Sequence, residues 1–291
     1  INRSASDYVG LFSFTSYLNF SAKNLTLDSP NIFGKSYVGS IAGFSVSGIF
    51  NNINITGGTI RSNGNYIGGI TGVLQNSDAS ITNCSFSGNI QPGTASCIGG
   101  IAGFVTVGAS VTGCTAAGNI NVGENNSEYV GGIAGKVVGS STVTNCTNNA
   151  AVKGYNYVGG IVGYTDSTST IDHCTSSGSA SVGGSSSTFT GSYYGGIVGQ
   201  NYGNSTVKNC TNNSQVGNGN TNNVGGAPLN HSAPPLCRPA PPHPNLHSGG
   251  TNTYRDTTGP VLAMSRMISE STRWGSDANA TARSIGGGRP T

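Results

Sequence analysis

Five cysteines recur at one place in a repeating pattern. Cys84, Cys114, Cys146, Cys174 and Cys210 each stand three residues after an apolar residue and just before Ser or Thr. Thiols so regularly placed could do redox or metal chemistry. Yet no Cys-x-x-Cys or Cys/His spacing of the zinc type occurs. The same slot holds Leu25 and Ile53 in the first two repeats, and a slot that takes Leu, Ile or Cys is buried and apolar, where a free thiol packs as a small hydrophobe. Stacked repeats would bring neighbouring Cα atoms within disulfide range, but the side chains would point the same way. Buried free thiols are therefore expected, with disulfides and then metal as the alternatives.

The acids of the repeats are Asp7, Asp28, Asp78, Glu124, Glu128, Asp166 and Asp172, and His173 is their lone imidazole. Hydrolysis of a glycosidic bond needs two carboxylates about 5–10 Å apart. Asp166 and Asp172 share a repeat, but its neighbours lack them, so they read as solvated loop charges. A Gly-x-Ser-x-Gly elbow, a P-loop and a zinc helix are all missing. The expectation is no catalytic residue, no cofactor and no metal.

Three further series could bind rather than react. Tyr8, Tyr37, Tyr66, Tyr129, Tyr157 and Tyr193 open the repeats. They read as an offset-stacked aromatic ladder, or as a sugar-binding stripe, an idea weakened where Cys97 interrupts them. Asn83, Asn145 and Asn209 precede the cysteines and match the N-glycosylation pattern, as do several other Asn; an amide ladder at a corner of the fold is the simpler account. Ser85, Thr115, Thr147, Thr175 and Thr211 form one hydroxyl rank of the kind ice-binding surfaces use, but the rank at Thr82, Thr112 and Thr144 breaks at Asp172 and Lys208.

These series imply an element that brings residues about 30 apart into register. Aligned on the glycine pair, repeats start at Tyr8, Tyr37, Tyr66, Cys97, Tyr129, Tyr157 and Tyr193, and another opens at Asn223. A period of this size marks a solenoid, propeller or array. Helix formers are scarce in the repeats, and a propeller blade needs about 40 residues or more. Short β-branched runs between Gly, Asn and Ser indicate about three strands per repeat. The reading is all-β: a parallel β-solenoid (β-helix) of about seven coils of about 30 residues over 1–226, followed by an irregular tail over 227–291. In Tyr129-Val-Gly-Gly-Ile-Ala-Gly135, Val130 and Ile133 are both core candidates. Strand side chains alternate, so Gly131 and Gly132 are expected to bend the chain, since glycine accepts unusual backbone angles.

Charged residues are 8% of the chain. Residues 1–226 carry seven Lys/Arg against seven Asp/Glu, which argues against nucleic acid as a partner. No apolar stretch approaches the ~20 residues of a membrane-spanning helix. The tail holds nine of the eleven Pro and the single Trp. It reads either as a disordered tail or as an altered-frame or chimeric end. The start at Ile1 reads as a fragment or processed form. Uncapped ends imply neighbouring coils from a longer parent chain.

The run Tyr-Val-Gly-Gly-Ile-Ala/Val-Gly at 129–135 and 157–163 resembles the GLUG motif of bacterial surface and adhesin-like proteins. That resemblance implies an extracellular or cell-surface stalk or adhesive region, and transfers no catalytic residue. Insertions concentrate at 91–96, 123–128 and 183–192, one corner of the coil. Gln91, Glu124, Asn125, Glu128, Ser187 and Phe189 are thus the candidate ligand-facing residues, toward a host or matrix glycan or protein. A carbohydrate-active β-helix enzyme, or a passive spacer beside a catalytic domain, is the alternative.

Overall fold

A computed structural model describes residues 1–16, 20–122, 127–177, 181–183, 192–217, 222–225 and 252–253. Every element in it is a β-strand, and the strands of successive repeats pair in parallel. One sheet has eight strands, two have seven and the fourth has thirteen. About six turns of solenoid result. The all-β parallel solenoid predicted from the period is the fold.

One coil shows the construction. Its strands are Glu128–Gly131, Ala134–Val137, Thr142–Thr144, Thr147–Asn148 and Ala151–Lys153. That is five short segments where three were expected; the breaks at Gly132–Ile133 and Asn149–Ala150 hold no left-handed residue, whereas those at Gly139–Ser140 and Asn145 hold left-handed residues. They recur at three places. One is the Tyr position, at φ 54–65° from Tyr8 through Cys97 to Tyr193. Another is the residue before each Cys: Asn83, Gly113, Asn145, His173 and Asn209. The third includes Asn76, Val107, Ser140 and Ser167. Asn and Gly tolerate this region best, which explains the Asn-Cys pairs. Asn52 donates a 2.8 Å hydrogen bond to Asn24, but Gly113 breaks the series between Asn83 and Asn145, so backbone conformation, not an amide ladder, accounts for the recurrence.

The glycine pair works differently from the sequence expectation. Neither Gly131 nor Gly132 is left-handed; the Tyr in front of them is. The chain does bend after Gly131, and Val130 and Ile133 are both fully buried. Glycine is required there by close approach. A Cβ on Gly131 would lie 2.8 Å from Gly163 N and Ile161 O and closer still to Ala134 O. On Gly132 it would strike the Gly160 carbonyl of the next coil.

The core is one column per inward position. Val38, Ile67, Ile98, Val130 and Val158 stack behind the tyrosines, and Ile70, Ile101, Ile133, Ile161 and Ile197 stack behind the bend. Tyr194 replaces Val in the first column and stays buried, because its hydroxyl donates to Tyr155 O at 2.7 Å. Toward the later coils the interior turns polar. Asn148 and Asn212 follow Phe86 and Ala116 in one column, each amide bonded to the backbone two residues on. Buried amides are tolerated when both their groups are paired in this way.

Candidate functional site

The left-handed backbone at the Tyr position lifts each ring onto the outer surface, where the coil repeat stacks it on the next. Tyr8–Tyr37, Tyr37–Tyr66, Tyr129–Tyr157 and Tyr157–Tyr193 are stacked, with centroids 4.7–5.0 Å apart and planes within 18°. Each ring in such a column covers its neighbour's face, leaving edges and hydroxyls outward. This geometry offers few open faces to a sugar ring.

A second column runs beside it on the adjoining sheet: Phe14, Phe44, Val73, Phe104, Lys136, Tyr164 and Gln200, in register. Tyr164 meets Tyr129 and Tyr157 edge-on at 5.2 and 6.0 Å. Phe44 meets Tyr8 edge-on at 6.1 Å and Tyr37 at 5.7 Å. Lys136 is the charged member, its ammonium 4.9 Å from the Tyr129 centroid and 5.0 Å from that of Tyr164, a cation–π geometry. Burial raises the Tyr66 and Tyr129 phenols, and the Tyr164 phenol rises to about 12. Cys97 takes the Tyr backbone conformation and is buried, 6% exposed, with Lys136 and Glu128 the charges acting on its thiol. Burial pushes its thiol up to about 12.

Cys84, Cys114, Cys146, Cys174 and Cys210 are buried free thiols in one column. Each carbonyl of the first four accepts the amide of the next coil's Thr at 2.9 Å. The Cys114 amide donates to Cys146 Sγ and the Cys174 amide to Cys210 Sγ, both at 3.4 Å. Contact with the Cys146 thiol, aided by burial, raises Cys114 to about 12. Contact with Cys174 lowers Cys210, which sits near the end of the column.

Asp166 and Asp172 serve separate local networks. Asp166 accepts the Ser167 amide at 2.5 Å. Asp172 holds His173 at 2.7 Å, Asn209 at 2.9 Å and Lys208 at 3.7 Å. Among the described residues no three His, Cys, Asp or Glu side chains gather as a metal site. The hydroxyl series gains a rank that the sequence reading missed: Ser80, Ser110, Thr142, Thr170 and Thr206 are in register. The alternation around Val143 was the available signal. Of the candidate loop residues, Gln91 is exposed beside the strand Asn89–Ile90, and Glu128 is half-buried at the start of its strand. Glu124, Asn125, Ser187 and Phe189 lie outside the described residues.

Stacked coils with graded outer columns and a continuous inner core define a solenoid repeat module. The family model for the GLUG motif matches residues 63–91, 126–153, 154–184 and 190–217. The chain therefore carries GLUG repeats, each folded as one coil of a parallel β-solenoid. No curated protein and no solved structure matches the chain. Among the described residues no helix is long and apolar enough to cross a membrane.

Proposed function

We propose that this chain is a non-catalytic structural and adhesive module working at the cell surface. In this reading a host or matrix glycan or protein is held by loops on one face, near Gln91 and Glu128. The observation that carries it is the assignment of nearly every recurrent residue to building the rod. Val and Ile fill it, glycine lets its backbones touch, cysteine packs in it, and tyrosine stacks along it. The variation in coil length falls at one corner of the coil, and repeat proteins place their binding sites where such insertions gather. The two acids that could have formed a hydrolytic pair engage local partners instead, Asp166 the Ser167 amide and Asp172 the His173 and Lys208 side chains.

The test is a glycan array and a matrix-protein panel probed with the purified chain, alongside attachment assays on cells with the repeat region deleted. Saturable binding, and attachment lost on deletion, are expected. Absence of any ligand together with unchanged attachment would leave a passive spacer.

A further inference from the structure

The column Cys84, Cys114, Cys146, Cys174 and Cys210 is the one recurrent series whose side chains can do more than pack. All five thiols hold one orientation. Each Sγ lies within hydrogen-bond reach of the carbonyl two residues before it, at 3.1–3.4 Å. Each also faces one carbonyl of the preceding coil, from Phe50, Ile81, Val111, Val143 and Ile171 in turn, at 3.5–3.9 Å. Backbone register and side-chain orientation thus repeat together, so neighbouring sulfurs are spaced by the coil repeat of ~4.8 Å. The amides that Cys114 and Cys174 direct at the sulfurs of Cys146 and Cys210 are bonds that favour a thiolate.

We propose that adjacent thiols of this column bind a thiophilic monovalent cation, Cu(I), in linear two-coordination. A metal–thiolate bond is about 2.3 Å, so a linear S–Cu–S unit spans ~4.6 Å against the ~4.8 Å repeat. The ion needs no cavity, because it takes the place of the thiol protons on the line between two sulfurs. Each ion forms two Cu–S bonds and releases two protons to solvent, leaving an anionic bis-thiolate. Carbonyls that lose an S–H keep a backbone partner: Thr112 O accepts Asn83 N at 2.9 Å, and Thr144 O accepts Gly113 N at 3.0 Å. Sulfurs in a straight line cannot surround Zn2+, whose structural sites are tetrahedral, whereas soft thiolates suit Cu(I). The five thiols make two adjacent pairs and leave one over. The inference holds whether or not the rod is adhesive.

The test loads the full chain anaerobically with Cu(I) as its acetonitrile complex. Cys97→Ser and Cys237→Ser are present throughout, so that only the column contributes thiols. About two Cu(I) per chain should survive gel filtration, with X-ray absorption showing two sulfurs at about 2.3 Å from each ion, while Zn2+ is lost. Cys146→Val leaves the pairs Cys84–Cys114 and Cys174–Cys210 and should keep both ions. Cys114→Val with Cys174→Val leaves three thiols with none adjacent, and should lose both. Leu25 and Ile53 fill the same slot in the first coils, so valine suits it, and far-UV circular dichroism checks that each variant is folded. The proposal is overturned if the parent chain retains no Cu(I), if Zn2+ is retained equally, or if the folded double variant binds as much Cu(I) as Cys146→Val.

Discussion

Gly131→Ala is the sharpest test of how the coil is closed. The added methyl meets backbone on every side: Gly163 N and Ile161 O at 2.8 Å, and Ala134 O nearer still. Side-chain rotation cannot relieve such a clash. The coil must open, stretching the bonds Gly132 N to Gly159 O at 3.2 Å and Ile133 N to Ile161 O at 2.9 Å. Overpacking costs about 1–3 kcal/mol, and each weakened hydrogen bond adds about 1 kcal/mol. The expected loss is about 3–5 kcal/mol. Gly57→Ala is the control. Gly57 is left-handed at φ +66°, and its added methyl would meet only Ser29 Oγ, at 3.3 Å. Its cost is the conformational one alone, about 1–2 kcal/mol. Urea unfolding followed by far-UV circular dichroism gives both numbers. If the two variants lie within about 1 kcal/mol of each other, close approach is not why glycine recurs at this position.

Val107 is a β-branched residue held left-handed at φ 57° and 52% exposed, so Val107→Asn should stabilise by about 1 kcal/mol in the same assay. Tyr157 stacks on both Tyr129 and Tyr193 and meets Tyr164 edge-on; Tyr157→Leu keeps the backbone demand and loses three aromatic pairs, a cost of about 1.5–4.5 kcal/mol. Site-resolved alkylation at pH 8 should find Cys97 and Cys114, both raised to about 12, silent in the native chain. Among the described cysteines Cys210, lowered by Cys174, should react first, and all should react in urea. Burial raises Tyr194 from 10.0 to about 12, with a smaller contribution from Tyr155. The unfolded chain releases that proton first, so its contribution is intact below pH 10 and shrinks as pH climbs toward 12. Absorbance at 295 nm should show Tyr194 ionising late, with stability falling across the same window.

Much of this architecture was legible in the residues. The period of about 30, the β-branched runs and the shortage of helix formers specify stacked short strands before any coordinate is known. A position that accepts Leu25, Ile53 or Cys84 can only be an inward apolar slot, and Cys84 is indeed 1% exposed. These features are legible because each is local and repeated, so seven copies average out the exceptions. The left-handed corner was harder to see. Tyrosine is an unusual occupant of that conformation, and its reward lies in a ring one coil away.

Contacts between coils are beyond the reach of the chain read in order. Cys97 and Lys136 are 39 positions apart, and Asp172 finds Lys208 and Asn209 36 and 37 positions on. Insertions make the coil length vary from 28 to 36 residues, so only the hydrogen-bonded register decides which side chains become neighbours. Sequence alone determined that a rod would form and what would fill it. Tertiary structure decided that tyrosine turns it, that glycine lets its backbones touch, and that Lys136 lies over the rings of Tyr129 and Tyr164. The reason is physical: inward packing is set by alternation along a strand, whereas the outer surface is set by stacking across strands.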